Sequence, residues 1–175
     1  TAADDALGKL ANLVTDLLDV SRLQSGVLGV SVMPVDPAEV IMPALDELSL
    51  GPADVEIDLG TDVPEMVADP ALLQRVVVNL LSNALRYEPA GGRVRLATSS
   101  FADRVEIRVI DHGPGIPEDR RDDVMVPFQR LGDADSTVGL GLGLALSKGF
   151  VEGMDGTLAL EDTPGGGLTM VILSL

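Results

Sequence analysis

The stretch NLLSNALRY, residues 79–87, sits at the end of a longer run, DPALLQRVVVNLLSNALRY, that begins at Asp69. Asp69-Pro70 is a helix start: an aspartate able to cap free N–H groups, then a proline where no N–H is needed. Leu73, Val77, Leu80, Leu81 and Ala84 recur at three- and four-residue steps and give the predicted helix a buried face. Asn79, Asn83, Arg86 and Tyr87 fall together on another side. An otherwise apolar helix with a row of amides, a guanidinium and a phenol faces something that makes hydrogen bonds.

Two further stretches point to what that is. DHGPGIP, residues 111–117, follows the apolar run VEIRVI directly, so Asp111 lies at a strand end. Gly113 and Gly115 there let a ligand approach the backbone closely. A lone carboxylate accepts hydrogen bonds from an exocyclic amino group such as that of adenine. In VGLGLGLALSKG, residues 138–149, Gly139, Gly141 and Gly143 alternate with Leu140 and Leu142 and lead into a helix. Uncapped N–H groups at such a start favour an anion, usually phosphate. An amide oxygen such as that of Asn83 suits Mg²⁺, a hard cation that keeps several waters. The three segments fit one site for a magnesium nucleotide, with the base near Asp111 and the phosphates between the asparagine row and Gly139–Gly143. The commoner phosphate-binding signatures G-x-x-x-x-G-K-[ST] and G-x-G-x-x-G are absent.

Around these motifs the pattern is α+β. A helix is expected over 3–25, ended by Gly26, with stripes Leu7, Leu10, Val14, Leu17 and Leu13, Leu17, Val20. The stripes belong against the rest of this chain or against another helix of a dimer. Strands are expected at 27–35, 53–59, 93–100, 103–110, 157–161 and 168–173. Helices are expected from Asp36-Pro37 to about Ser49, with a possible kink at Pro43, at 70–87, and at 141–152. The charged segment 117–138 is long for a connection and reads as a mobile lid.

Composition narrows the function. The chain has 175 residues, 46% hydrophobic and 2% aromatic, enough for one domain with an aliphatic core plus an appendage. It has no cysteine and one histidine, which removes thiolate chemistry and multi-histidine metal sites. A net charge of −16 opposes binding to nucleic acid or anionic lipid. No apolar run is long enough to cross a bilayer, so a soluble unit is expected.

Five stretches in order resemble the sensor histidine kinases of two-component systems: NLLSNALRY the N box, DHGPGIP the first glycine box, PFQRL (127–131) the phenylalanine box, GLGLGLAL the second glycine box, and GGGLTMVIL (165–173) the closing strand. LLDVSRLQSG (17–26) is similar to the end of that family's dimerisation and phospho-acceptor domain. EDTPGGGLTMVILSL and SKGFVEGMDGTL look most like the potassium-responsive Kdp-type members.

The resemblance implies a Bergerat-type two-layer α/β sandwich: a mixed, mostly antiparallel sheet with helices on one face and a long ATP lid. Residues 27–175 would be the catalytic domain and residues 1–26 part of the dimerisation helix. The cofactors implied are ATP and Mg²⁺. Asn83 would ligate the metal with Asn79 helping, Arg86 would contact phosphate, and these three would form the catalytic set. Tyr87, Ile116, Leu140 and Leu142 would line the pocket, and Asp111 would take the adenine amino group. Gly113, Gly115, Gly139, Gly141 and Gly143 would shape pocket and lid, Phe128 and Arg130 would belong to the lid, and Thr169 would lie near the adenine. The γ-phosphoryl would pass to a histidine on the protein's own dimerisation domain, then to a response-regulator aspartate. The parent would be a homodimer in the inner membrane with this part in the cytoplasm.

The chain departs from the family pattern at Leu168, where threonine is common, and at Glu88, where a small residue or threonine is frequent. Its histidine, His112, lies at the base end of the site, so the acceptor is expected before Thr1 and this chain alone is not expected to autophosphorylate. ATP-hydrolysing clamps that share the pocket carry a glutamate where Asn79 stands; an amide cannot take a proton from water. The alternatives are an ATP-binding regulatory module without transferase activity, or an anti-sigma-type serine kinase, which lacks the leading helix.

Overall fold

The computed structural model describes residues 1–126 and 142–174. Helix α1, Ala2–Ser25, starts at Thr1, whose hydroxyl accepts from the Asp4 N–H, and ends at Gly26 with φ +72°. Strand β1 is Met33–Val35, helix α2 Pro37–Glu47, strand β2 Val55–Leu59 and strand β3 Met66–Ala68. Helix α3 is Pro70–Tyr87, followed by strands β4, Val94–Phe101, and β5, Arg104–Ile110. A 3₁₀ turn at Glu118–Arg120 leads into the short helix α4, Arg121–Val124; then come α5, Gly143–Gly153, and strands β6, Thr157–Asp162, and β7, Leu168–Leu173.

The main sheet runs β2-β4-β5-β7-β6, with β2 parallel to β4 and the other pairs antiparallel. The architecture is therefore the expected α+β with a mixed sheet. Strand alternation sends Val94 and Leu96 of β4, Val105, Ile107 and Val109 of β5, and Met170 and Ile172 of β7 into one core. That core is closed by Ile41 and Leu45 of α2, Leu73, Leu80 and Leu81 of α3, and Leu146 and Phe150 of α5. The other face of the sheet carries ion pairs: Arg95 with Asp58, and Arg108 with Glu106 at 3.0 Å and Glu161 at 3.1 Å. The Arg108 guanidinium is held above its usual pKa: burial lowers it, and the two glutamates more than reverse that.

Two expectations change. The strand at 27–35 shrinks to Met33–Val35, because the chain before it is used otherwise. Ser31 N–H donates to Asp69 Oδ2 at 2.9 Å, while Leu28 and Val30 pack beside Gly153. Strand β1 pairs with β3, a three-residue strand too short to show a period. α2 is one helix through Pro43. The segment 117–138 begins with a 3₁₀ turn and α4, pinned where Arg121 donates to Ile116 O at 3.2 Å and pairs with Asp162. The remaining part of the expected lid, from 127, lies outside the described residues, as do Phe128, Arg130, Gly139, Leu140 and Gly141.

α1 packs through one of its stripes. Val20 is buried, with Leu13 and Leu23 packed against the core, whereas Leu7, Leu10, Val14 and Leu17 face solvent. Gly149 of α5 allows this approach: a Cβ there would stand 2.6 Å from Leu23 Cδ1.

Candidate functional site

α3 begins on Asp69, whose Oδ1 accepts from Ala71 N–H at 3.1 Å and Leu72 N–H at 3.2 Å. Its apolar face, Leu73, Val76, Val77, Leu80, Leu81 and Ala84, is buried. That rotation leaves Asn79 and Asn83 half-buried and Arg86 and Tyr87 exposed. The Asn83 amide nitrogen lies 3.8 Å from the Met170 sulfur, which sets the middle of α3 against β7. The Asn79 amide nitrogen is buried with no hydrogen-bond partner among the described residues. A buried amide without a partner costs about 1–3 kcal/mol, so it is normally kept for a ligand or water. The Arg86 guanidinium lies over the Tyr87 ring, 5.9 Å from its centre.

Asp111 stands at the end of β5 and is 1% exposed. Its Oδ1 accepts from Gly113 N–H at 3.0 Å and Leu168 N–H at 3.1 Å. Its N–H donates to Leu168 O at 3.0 Å, and its carbonyl accepts from the Thr163 hydroxyl at 3.0 Å. Thr163 and Thr169 share a hydrogen bond of 3.0 Å directly behind. The backbone is thus pinned on both sides, and the second carboxylate oxygen is left without a partner among the described residues.

Two glycines are required by contact. A Cβ at Gly113 would sit 2.4 Å from Tyr87 O, so the strand end touches the end of α3. A Cβ at Gly167, where φ is +120°, would sit 2.1 Å from Asp111 O. Gly115 and Ile116 continue the same turn, Gly115 with φ +71°. On the far side, Leu142 is buried and α5 begins at Gly143 with no side-chain cap. Its first N–H groups are free of side-chain acceptors, as an anion site requires.

The fold therefore brings Tyr87, Asp111, Gly113, Gly115 and Thr169 together at one end. Asn79 and Asn83 lie further along α3, and Leu142 and Gly143 stand at the start of α5. Thr163 and Gly167 join the first group without having stood out in the sequence, and Glu88, noted there only as a departure from the family pattern, joins them. Glu88 caps α3 and bonds His112. Thr163 has no local signal, since its partners lie six and 52 residues away. Among the described residues, no group of three or more His, Cys, Asp or Glu is placed to hold a metal ion. None of the described helices is long and apolar enough to cross a membrane.

Residues 68–175, covering α3 to the last strand, match the family described as histidine kinase-, DNA gyrase B- and HSP90-like ATPase. The chain belongs to this ATPase family. It is 65% identical to the sensor protein KdpD of Rathayibacter rathayi over 163 residues, which is 93% of this chain and 19% of that protein. Within the family it is a sensor histidine kinase catalytic domain of the Kdp type. The mycobacterial sensor histidine kinase MprB superimposes with a TM-score of 0.69 at 33% identity, over 82% of this chain and 97% of that one. Full-length ShkA in complex with AMPPNP superimposes with a TM-score of 0.82 at 26% identity, over 99% of this chain and 37% of that one. The chain spans about a fifth of the length of the curated KdpD relatives it matches.

Proposed function

We propose that residues 27–175 bind Mg-ATP and pass its γ-phosphoryl to a histidine of the protein's own dimerisation domain, and that residues 1–26 are the end of that domain's helix. A response-regulator aspartate would receive the phosphoryl group next. The observation that carries the reading is Asp111. It is a buried carboxylate with one oxygen held by two backbone N–H groups, and the other is left to accept from an adenine amino group. The similarity to ShkA, solved in complex with AMPPNP, supports nucleotide binding.

The rest of the site suits a triphosphate. Asn79 and Asn83 are neutral, so they add no negative charge beside phosphate, and the orphaned Asn79 amide fits a ligand there. The metal would be held by Asn83, with Asn79 beside it, and would balance phosphate charge. Arg86 would contact phosphate from the exposed end of α3, and the bare start of α5 at Gly143 would offer N–H groups to the same anion. An amide at position 79 cannot activate water, so transfer to an outside nucleophile is favoured over hydrolysis. The chain's one histidine is tied to Glu88 at the base end, and the acceptor would lie elsewhere in the full-length protein. The likeness to KdpD would make that protein a homodimeric, membrane-anchored, potassium-responsive kinase.

Calorimetric titration with ATP, with and without Mg²⁺, tests this on the wild type and Asn83→Ala. Saturable binding that Mg²⁺ tightens in the wild type but not in the variant is the expected result. A variant that still responds fully to Mg²⁺ takes the metal away from Asn83, and no binding by the wild type removes the nucleotide reading. Transfer is read by supplying the dimerisation domain as a separate chain and following phosphohistidine.

A further inference from the structure

Thr163 follows β6 and opens the turn into β7; it is buried, as are Asp111 and Thr169. β6 and β5 are not neighbours in the sheet, because β7 lies between them. Yet the Thr163 hydroxyl donates to the carbonyl of Asp111, the residue just after β5, at 3.0 Å. The turn that carries this hydroxyl is closed on itself. Thr163 N–H donates to Gly167 O at 3.1 Å, and Thr163 O accepts from Gly166 N–H at 2.9 Å.

A threonine hydroxyl has one proton. That of Thr163 goes to the Asp111 carbonyl, which can only accept, so in the 3.0 Å contact between Thr163 and Thr169 it is Thr169 that donates. The relay runs from the Thr169 hydroxyl to Thr163 Oγ1, and from the Thr163 hydroxyl to Asp111 O. Strand alternation turns Leu168 and Met170 of β7 into the core, where the Met170 sulfur meets Asn83. Thr169 lies on the opposite face, opposite Ile110 of β5 and Glu161 of β6. Its proton is therefore committed behind Asp111, away from α3.

We propose that Thr163 is a positioning residue for base recognition: it aims the Asp111 carboxylate by holding the Asp111 carbonyl, and Thr169 acts through Thr163 without touching the nucleotide. The inference rests on the reading of Asp111 as the group that accepts from the adenine amino group. The peptide after Asp111 is planar, so holding its oxygen also holds the direction in which the chain continues to Gly113. Gly113 N–H is one of the two donors that orient Asp111 Oδ1, at 3.0 Å. The other, Leu168 N–H at 3.1 Å, stands at the far end of the turn that Thr163 opens. Between them Gly167 packs so closely that a Cβ there would stand 2.1 Å from Asp111 O. Without the hydroxyl, the Asp111 carbonyl is no longer held by a side chain, and the second carboxylate oxygen loses its fixed direction.

The probes are ATP and purine riboside triphosphate, which has hydrogen in place of the exocyclic amino group, each with Mg²⁺. Calorimetry gives the ratio of the two affinities for wild type, Thr163→Val and Thr163→Ser. The wild type should prefer ATP, and Thr163→Val should cut that preference by about three- to tenfold, the effect of one buried hydrogen bond between neutral groups. Thr163→Ser keeps the hydroxyl and should keep the preference. A general loosening of the pocket would weaken both nucleotides together and leave the ratio unchanged. Adding Thr169→Val to Thr163→Val should change the ratio no further, because the two hydroxyls act in series. An unchanged ratio in Thr163→Val, or a ratio lost equally in Thr163→Ser, overturns the proposal and leaves the reading of Asp111 intact. A further loss in the double variant overturns the part assigned to Thr169. A wild type that binds both probes equally, or neither, overturns the reading of Asp111 and the proposal with it. Thr163→Cys puts a weak S–H donor in the same place and should also lose the preference, so it carries the test if Thr163→Val does not fold.

Discussion

Arg75 of α3 is paired with Asp19 of α1, a carboxylate only 4% exposed. The same guanidinium reaches Asp16 at 3.2 Å and lies 4.9 Å from the centre of the Phe150 ring of α5. One side chain thus joins three helices, with a planar fork for two carboxylates and a flat face for an aromatic ring. Arg22 stands 3.5 Å from Asp19 on its exposed side and is the weaker partner.

Removing the fork should release α1. Arg75→Ala leaves a buried carboxylate with only Arg22 beside it, and breaking such a pair costs about 3 kcal/mol. Amide exchange of residues 16–25 should accelerate strongly while that of β5 and β7 stays slow. Arg75→Lys keeps the charge but loses the fork and should fall between. Unchanged exchange in α1 would show that Val20 and Leu23 hold the helix without the ion pair.

Asp16 gives a pH signature to the same contact. Its pKa is raised above 3.8, first by burial and further by Asp19, against the opposing pull of Arg75. A raised folded-state pKa means the folded chain holds the proton more tightly than the unfolded one. This term therefore adds stability as pH falls through the interval just above the ordinary aspartate value, and withdraws it as pH rises. Asp16→Asn lacks the term, so its melting temperature should drop more steeply on acidification than that of the wild type. Superimposable acid profiles would count against it.

Asp111→Asn keeps one acceptor for the Gly113 and Leu168 N–H groups but replaces the second oxygen with a donor. If that oxygen receives an adenine amino group, ATP affinity should fall by about 10- to 100-fold, or about 1.4–3 kcal/mol. The melting temperature should move far less. Calorimetry beside a thermal melt separates the two; a large loss of stability with unchanged affinity per folded molecule would assign Asp111 to the fold instead.

Gly167→Ala and Gly8→Ala should change stability in opposite directions. At Gly167 the new Cβ meets Asp111 O at 2.1 Å with φ at +120°, and a loss of about 2 kcal/mol or more follows. At Gly8, in exposed α1, nothing lies within 4 Å, and alanine should gain up to about 1 kcal/mol of helix stability. Urea unfolding of both variants measures the contrast.

The architecture was legible because its long elements carry their own punctuation. Asp36-Pro37 and Asp69-Pro70 mark helix starts by local chemistry, and β4, β5 and β7 alternate or run apolar over enough residues to show it. Segment 27–32 alternates too, yet its Ser31 N–H is taken by a side chain 38 residues away, which no local period reveals. β3 is below the length at which a period exists. At the site, Asn79, Asn83 and Asp111 stand out because polar groups interrupt apolar runs. Thr163, Gly167 and the Glu88–His112 clasp do not, because each acts through a contact made only when β6–β7 and the end of α3 meet β5.

The order β2-β4-β5-β7-β6 has a consequence for biosynthesis. Of the five strands in this sheet β7 is made last, yet it lies inside the sheet, with β5 on one edge and β6 on the other. It also supplies Met170 to Asn83, and the residue beginning it, Leu168, pins Asp111. On the ribosome, β4 and β5 can form a hairpin early, but β6 has no neighbour until β7 emerges, and until then one edge of β5 stays unpaired. Folding should therefore be a late, all-or-none event governed by distant pairings, with an interval in which the nascent chain depends on chaperones. A stalled or prematurely ended chain lacking 168–173 should aggregate rather than persist as a smaller folded unit.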